Sequence, residues 1–133
     1  MNKLIAHALI KIDGKYLVIK RTRIKRGKLN TYPEYWDIPG GMVEEGELPK
    51  DAAIRETKEE VNLDIKIGRI IHEDSNLDNG NVYTRLVYEG ILLSDKNDII
   101  LQKDEHDEHK LINKLSELNG EEVVDYLYNI IEK

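Results

Sequence analysis

The 133-residue sequence contains no cysteine. That removes disulfides and any thiolate metal site, and it suits a reducing cytoplasm, the expected location. No run of about 18 apolar residues is present, so no membrane span is expected. The first residues, Met1 to Lys15, are basic and apolar but too short and too interrupted for a signal peptide. Excess positive charge is also missing. Twenty Lys and Arg stand against 26 Asp and Glu, a net charge of −6. This argues against a nucleic-acid polymer as partner, since sequence-independent binding needs a basic face. The same charge would repel a phosphorylated small molecule unless bound cations invert the local field. The length suits one domain over residues 1–133 with one core, as monomer or homodimer.

What is present concentrates between Gly41 and Leu63, GMVEEGELPKDAAIRETKEEVNL. At about 100° per residue, Glu56, Glu59 and Glu60 fall within roughly 100° of one another on a helix. Carboxylates so placed repel each other. They make sense around a hard divalent cation, which takes carboxylate oxygens together with substrate phosphates. Ala53, Ile54, Thr57 and Val61 occupy an adjacent sector, and Ala52 and Ala53 allow close approach to other backbone. One face can dock on a core while the next presents a cation site. A solvated helix face is the usual meaning of a Glu cluster.

Strand-rich runs at Leu4–Ile12 and Tyr16–Lys20 flank Asp13-Gly14, a hairpin signal. Residues 21–33 read as a basic loop. Tyr35–Ile38 reads as a short strand stopped by Pro39-Gly40-Gly41. A helix is expected from about Leu48 to Val61, with Pro49 near its start. Strands are expected over 64–73 and 82–93 with a turn at 76–81, then loop over 94–107 and a short strand at 110–112. Val123, Val124, Leu127, Ile130 and Ile131 form the apolar stripe of a helix expected over 120–131. Clustered strands with one central and one terminal helix indicate an α+β layered domain.

The segment from Gly41 to Leu63 resembles the Nudix box, the signature of the Nudix hydrolases. It matches at Gly41, Glu47, Arg55, Glu56, Glu59, Glu60 and Leu63. It departs at Thr57, where a larger aliphatic is usual, and at Asn62, where a second glycine is usual. Asn is the next-best residue after Gly for a left-handed helix end. The resemblance implies an α/β/α sandwich with a mixed β-sheet and a loop-helix-loop box. It implies Mg²⁺ or Mn²⁺ on Glu56 and Glu60, assistance from Glu59, and the Gly40 carbonyl as a further ligand. Glu47 and Arg55 are expected to form an internal ion pair that pins the loop.

The run DEHDEHKLINKLSEL resembles the downstream family pattern and points to Glu108 as a further metal ligand or general base, with Glu105 the competing choice. His106 is weighed as a substrate contact, but His106 and His109 read more simply as exposed loop histidines. Among Lys20, Arg21, Arg23, Lys25, Arg26 and Lys28, the phosphate-binding candidates are Arg21 and Arg23, against a reading of the stretch as solvated loop. Tyr32, Tyr35, Trp36 and Tyr83 are candidates to stack on a base, with core packing the plainer role for Trp36. The implied activity is hydrolysis of a pyrophosphate bond in a nucleoside diphosphate linked to a further group. Nucleoside triphosphates, oxidised ones included, are the first substrate class. ADP-ribose, dinucleoside polyphosphates and nucleotide sugars stay open, as does a catalytically silent nucleotide-binding module. A Nudix-like isomerase would need added catalytic residues, notably a cysteine.

Overall fold

Short two-residue turns organise the chain. Asp13 and Gly14 both take positive φ, 52° and 78°, and Ile12 pairs with Lys15 across them. This is the turn that matches the twist of flanking strands. Asn79-Gly80 does the same between the paired Asp78 and Asn81. Arg26-Gly27 is a further case, between Lys25 and Lys28.

The computed structural model describes residues 1–94 and 98–131. In chain order the elements are β1 (Asn2–Ile12), β2 (Lys15–Arg21), β3 (Ile24–Lys25), β4 (Lys28–Leu29), β5 (Trp36–Asp37), β6 (Gly40–Met42), α1 (Pro49–Val61), β7 (Ile65–Asp78), β8 (Asn81–Leu92), β9 (His106–Ile112), a 3₁₀ turn (Leu115–Leu118) and α2 (Leu127–Ile130). The main sheet runs β5-β2-β1-β8-β7, with β6 on β1 and β9 on β2. The β1–β8 pair is parallel and the other pairs are antiparallel, so the sheet is mixed.

Each face of the sheet has its own core. Ala52, Ala53 and Val61 of α1 pack with Ala6, Ala8 and Ile10 of β1 and with Leu17 and Ile19 of β2. Alanine against alanine lets the helix backbone approach the sheet closely. On the opposite face, Leu9, Val18 and Val87 pack with Leu115, Leu118, Val123, Val124, Leu127 and Ile131. The result is the expected α/β/α sandwich of an α+β fold. The helix α1 starts at Pro49 and ends with Asn62 in the left-handed conformation, φ 62°, its N–H donating to the Lys58 carbonyl. Asparagine does there what glycine does more often.

Several expected elements differ. The basic loop over 21–33 contains the β3–β4 hairpin, built on Arg26-Gly27. The strand over 64–73 continues to Asp78, and the strand at 110–112 begins at His106. The expected helix over 120–131 is confined to Leu127–Ile130. Its first half is extended instead, because the Trp36 N–H donates to the Glu122 carbonyl at 2.9 Å and the Val124 N–H to the Trp36 carbonyl at 3.1 Å. The apolar side chains still reach the core. Of the loop expected over 94–107, residues 95–97 lie outside the described residues.

Candidate active site

Helix α1 carries its carboxylates to the turn between β5 and β6. Glu60 is 2% exposed, and the Gly40 N–H donates to its Oε2 at 3.1 Å. Burial, then the hydrogen bond and charge of neighbouring Glu56, push the Glu60 carboxyl well above the usual range. Gly41 has no room for a side chain: a Cβ there would stand 2.7–2.9 Å from the Glu56 carboxyl atoms. Glu59 is half-exposed on the same helix.

Arg55 organises this group. Its Nε donates to Glu47 Oε2 at 2.8 Å and its Nη2 to Glu47 Oε1 at 3.0 Å, a bidentate fork. The remaining donors reach Glu56 at 2.9 Å, Glu59 at 3.3 Å and the Met42 carbonyl at 3.3 Å. The fork, helped by the Glu44 N–H, lowers the Glu47 pKa to about 2. Hydrogen bonding to Glu47 in turn raises the already high Arg55 pKa. One guanidinium thus ties the loop before α1, the end of β6 and two helix carboxylates together.

The turn carrying Gly40 is held from beneath by a buried polar cluster that the sequence reading missed. His7 on β1 sits opposite Gly40 in the β1–β6 register, and a Cβ at Gly40 would collide with the His7 ring and the Ala6 carbonyl. The Nδ1 of His7 lies 3.2 Å from the Ile38 carbonyl. Arg85 Nε donates to His7 Nε2 at 3.3 Å. An arginine can only donate, so Nε2 is the acceptor and the proton is assigned to Nδ1. Burial, the largest influence, lowers the His7 pKa and favours this neutral form. Asp37 accepts from the Ile38 N–H at 2.7 Å and from the Tyr126 hydroxyl. Both polar groups of the Ile38 backbone are therefore fixed, two residues before Gly40. The sequence signal was a lone histidine in an apolar strand, which has no spacing pattern to expose it.

The downstream carboxylates separate clearly. The segment before β9 is tied to the end of α1, with Ile100 N–H on the Val61 carbonyl at 3.1 Å and Gln102 N–H on the Glu60 carbonyl at 3.1 Å. It delivers Glu105 and His106 to Glu60, and one donor atom from each of the three lies within 4.8 Å of the others. Glu108 is not brought there. It pairs with Lys20 across β2–β9, and Lys20 and Lys110, two residues from Glu108, stand over Trp36 on the face away from α1. Residues of one parity share a face of a strand, so Glu108, exposed, lies with Lys110 on the far side from the box. A bulge between the Lys20–Glu108 and Arg21–His106 pairs breaks the parity and frees His106 to turn toward Glu60. His106 is not an exposed loop histidine: it opens β9 and is 4% exposed. His109 is exposed.

The remaining candidates disperse. Arg21 is engaged in pinning the basic stretch, with its Nε on the Thr31 carbonyl at 2.6 Å and its Nη atoms toward Asp37 and Asn30. Arg23 is exposed at the base of the β3–β4 hairpin. Lys25 of that hairpin reaches Glu105 at 2.5 Å. Tyr35 packs against Tyr32 with ring centroids 5.3 Å apart, next to β5. Tyr83 lies on β8, paired with Lys3 and Asn76, with β2 and β1 between β8 and β5. Trp36 is fully buried in the core.

The carboxylates around Gly40 and Gly41 form an oxygen-rich donor set of the kind that suits a hard divalent cation. Glycines that leave no space for a Cβ beside those carboxylates, and a buried Glu60 with no Lys or Arg paired to it among the described residues, fit the same group. The NUDIX domain matches residues 3–128, and the chain belongs to that family. The protein is similar to diphosphoinositol polyphosphate phosphohydrolase 2 of Mus musculus, 43% identical over 47 residues, 35% of this chain and 26% of that protein. The chain thus spans about a quarter of the length of that relative. A MutT protein from Methanosarcina mazei Go1 shares the fold with a TM-score of 0.78 and 25% identity over 96% of this chain and 88% of that one. An Ap4A hydrolase of C. elegans superimposes with a TM-score of 0.64 and 26% identity, over 83% and 79% of the two chains. Among the described residues, no helix is long and apolar enough to cross a membrane.

Proposed function

We propose that this chain, acting as one domain over residues 1–133, hydrolyses a pyrophosphate bond in a nucleoside diphosphate linked to a further group. Nucleoside triphosphates, oxidised ones included, are the first substrate class, giving a nucleoside monophosphate and pyrophosphate. The observation that carries this reading is the Arg55 fork on Glu47, which holds Glu56 and Glu59 beside the Gly40-Gly41 turn to which Glu60 is bonded. The names of the relatives extend the class to dinucleoside polyphosphates and diphosphoinositol polyphosphates.

Glu56, Glu60 and Glu105, with the Gly40 carbonyl, would hold Mg²⁺ or Mn²⁺. When bound, such a cation lowers the pKa of water and neutralises charge on phosphate oxygens. Glu105 takes the ligand role first expected of Glu108, because it stands beside Glu60 while Glu108 stands on the other face. Glu59, half-exposed and bonded through one oxygen to Arg55, accepts the proton of the attacking water. The water oxygen bonds to phosphorus and the bridging P–O bond breaks, its electrons leaving with the departing group, pyrophosphate in the case of a triphosphate. Arg55 and Glu47 act as positioning residues. Arg23 is the better phosphate contact, since the Arg21 guanidinium already holds the loop. Tyr35 and Tyr83 lie too far apart in the sheet to stack on one base together, and Tyr35, beside the exposed Tyr32, is the nearer to the basic stretch. The protein acts in the cytoplasm on a small nucleotide, as monomer or homodimer.

A screen of nucleotides with Mg²⁺, reading phosphate and pyrophosphate release, tests the reading. Turnover of at least one pyrophosphate-containing substrate is expected, abolished by excess EDTA. Undiminished turnover in EDTA would overturn it. Failure of every substrate, with Mg²⁺ binding intact, would favour a nucleotide-binding module that has lost turnover.

A further inference from the structure

We propose that His106, Glu60 and Glu105 form a mixed nitrogen–oxygen cation site that takes a borderline divalent ion such as Mn²⁺, Co²⁺ or Zn²⁺. It shares Glu60 and Glu105 with the cation position that Glu56 completes and rests on the reading of Glu60 as a metal ligand.

The starting point is an orphaned atom. His106 is 4% exposed, and its buried Nδ1 has no hydrogen-bond partner among the described residues. Buried polar atoms are nearly always paired, so an exception needs a reason. This Nδ1 stands 3.5 Å from Glu60 Oε1, too far for a good hydrogen bond but aimed at a carboxylate. Glu60 is itself 2% exposed. A buried carboxylate facing a buried imidazole nitrogen across that gap is a spacing that two ligands of one cation would take.

Spacing supports this. Two atoms held about 2.1 Å from one cation are separated by about 3.0 Å when adjacent and about 4.2 Å when opposite. The His106–Glu60 separation of 3.5 Å falls between these. The donor atoms of Glu60, Glu105 and His106 lie within 4.8 Å of one another, so small side-chain rotations close the set. The backbone is already fixed for it. The Glu105 and His106 N–H groups both donate to the Gln102 carbonyl, at 3.0 and 2.9 Å, and the Gln102 N–H donates to the Glu60 carbonyl at 3.1 Å. All three ligands hang from one hydrogen-bonded junction.

A positive charge already stands beside the cluster. Lys25 Nζ lies 2.5 Å from Glu105 Oε1 and Arg26 Nη2 lies 3.9 Å from it. The hairpin that bears them is anchored to the same segment, with Thr22 N–H on the Glu105 carbonyl at 2.9 Å and Thr22 Oγ1 on the Asp104 carbonyl at 3.0 Å. The ammonium balances Glu105 until a divalent ion arrives. An imidazole among the donors shifts selectivity from Mg²⁺ toward later first-row ions.

The test uses Mn²⁺ on the full chain, with pulsed electron paramagnetic resonance to detect nitrogen bound to the ion. Nitrogen modulation is expected in the native protein, retained in His109→Gln and lost in His106→Gln. The Mn²⁺ dissociation constant should rise in His106→Gln by more than the about tenfold that loss of a supporting residue costs a metal site. Mn²⁺ bound to the native protein without nitrogen modulation would overturn the site while leaving the carboxylate reading intact. Persistence of the modulation in His106→Gln would also overturn it. Failure of Mn²⁺ to bind at all would overturn both.

Discussion

Arg55 is the residue on which the geometry of the site turns, because a planar fork makes two parallel bonds to Glu47 while its other donors reach Glu56 and Glu59. An ammonium cannot reproduce that pattern. Arg55→Lys should therefore lower kcat by about 10²-fold, the cost of a displacement near 1 Å at a reacting centre, with only a small loss of thermal stability. Glu47→Gln breaks the same contact, so the double variant should fall well short of the product of the two losses; a fully multiplicative effect on kcat would show that the residues act separately. The fork also has a pH signature. The folded-state pKa of Glu47 is about 2 against an ordinary 4.5. A depressed carboxylate contributes stability that is complete above the unfolded value and lost as pH falls through the folded one. The stability gap between native protein and Glu47→Gln should be constant above about pH 5 and close between about pH 4.5 and 2, as followed by thermal unfolding across that range.

At the level of elements, the box is a helix and a turn held in register by different means, and they should fail differently. The turn depends on the His7 Nδ1–H held to the Ile38 carbonyl. Asparagine can place a donor near the Nδ1 position, and valine cannot. His7→Asn should retain most of the divalent-cation affinity, whereas His7→Val should weaken it with kcat, measured by Mn²⁺ titration; equal loss in both would remove the Ile38 contact from the account. What was legible in the sequence follows the same division. Helix α1 and its carboxylates could be read because spacing of 3.6 residues and the Pro49 and Asn62 ends are local signals. The β3–β4 hairpin was missed because its strands are two residues each, too short for alternation to show. The terminal helix was overdrawn because an apolar stripe says which residues are buried, not that Trp36 will claim the backbone of Glu122 and Val124. The buried state of His106 and the placement of Glu105 beside Glu60 depend on contacts between α1 and β9, which no local pattern records.

For the whole molecule, a site of crowded carboxylates sets function against stability. Glu60 is buried beside Glu56, and its raised pKa means that ionising it at neutral pH works against folding. Glu60→Gln should raise the Tm of the metal-free protein by a few degrees while abolishing turnover. In the native protein a divalent cation should raise Tm, since a ligand bound only to the folded state stabilises by about 2.7 kcal/mol at a hundredfold excess over Kd, and EDTA should reverse the shift. Glu60→Gln should show little of this response; an unchanged metal-dependent shift in that variant would remove Glu60 from the ligand set. The segment that ties α1 to β9 adds a consequence in time rather than energy. Because the amides of Ile100 and Gln102 are bonded to the Val61 and Glu60 carbonyls, fraying of the helix end and departure of Glu105 are a single opening event. These amides and those of the last turn of α1 should exchange with deuterium at one common rate, and the protein should pass between a closed site and one that has lost helix end and loop carboxylate together, with no half-assembled state between.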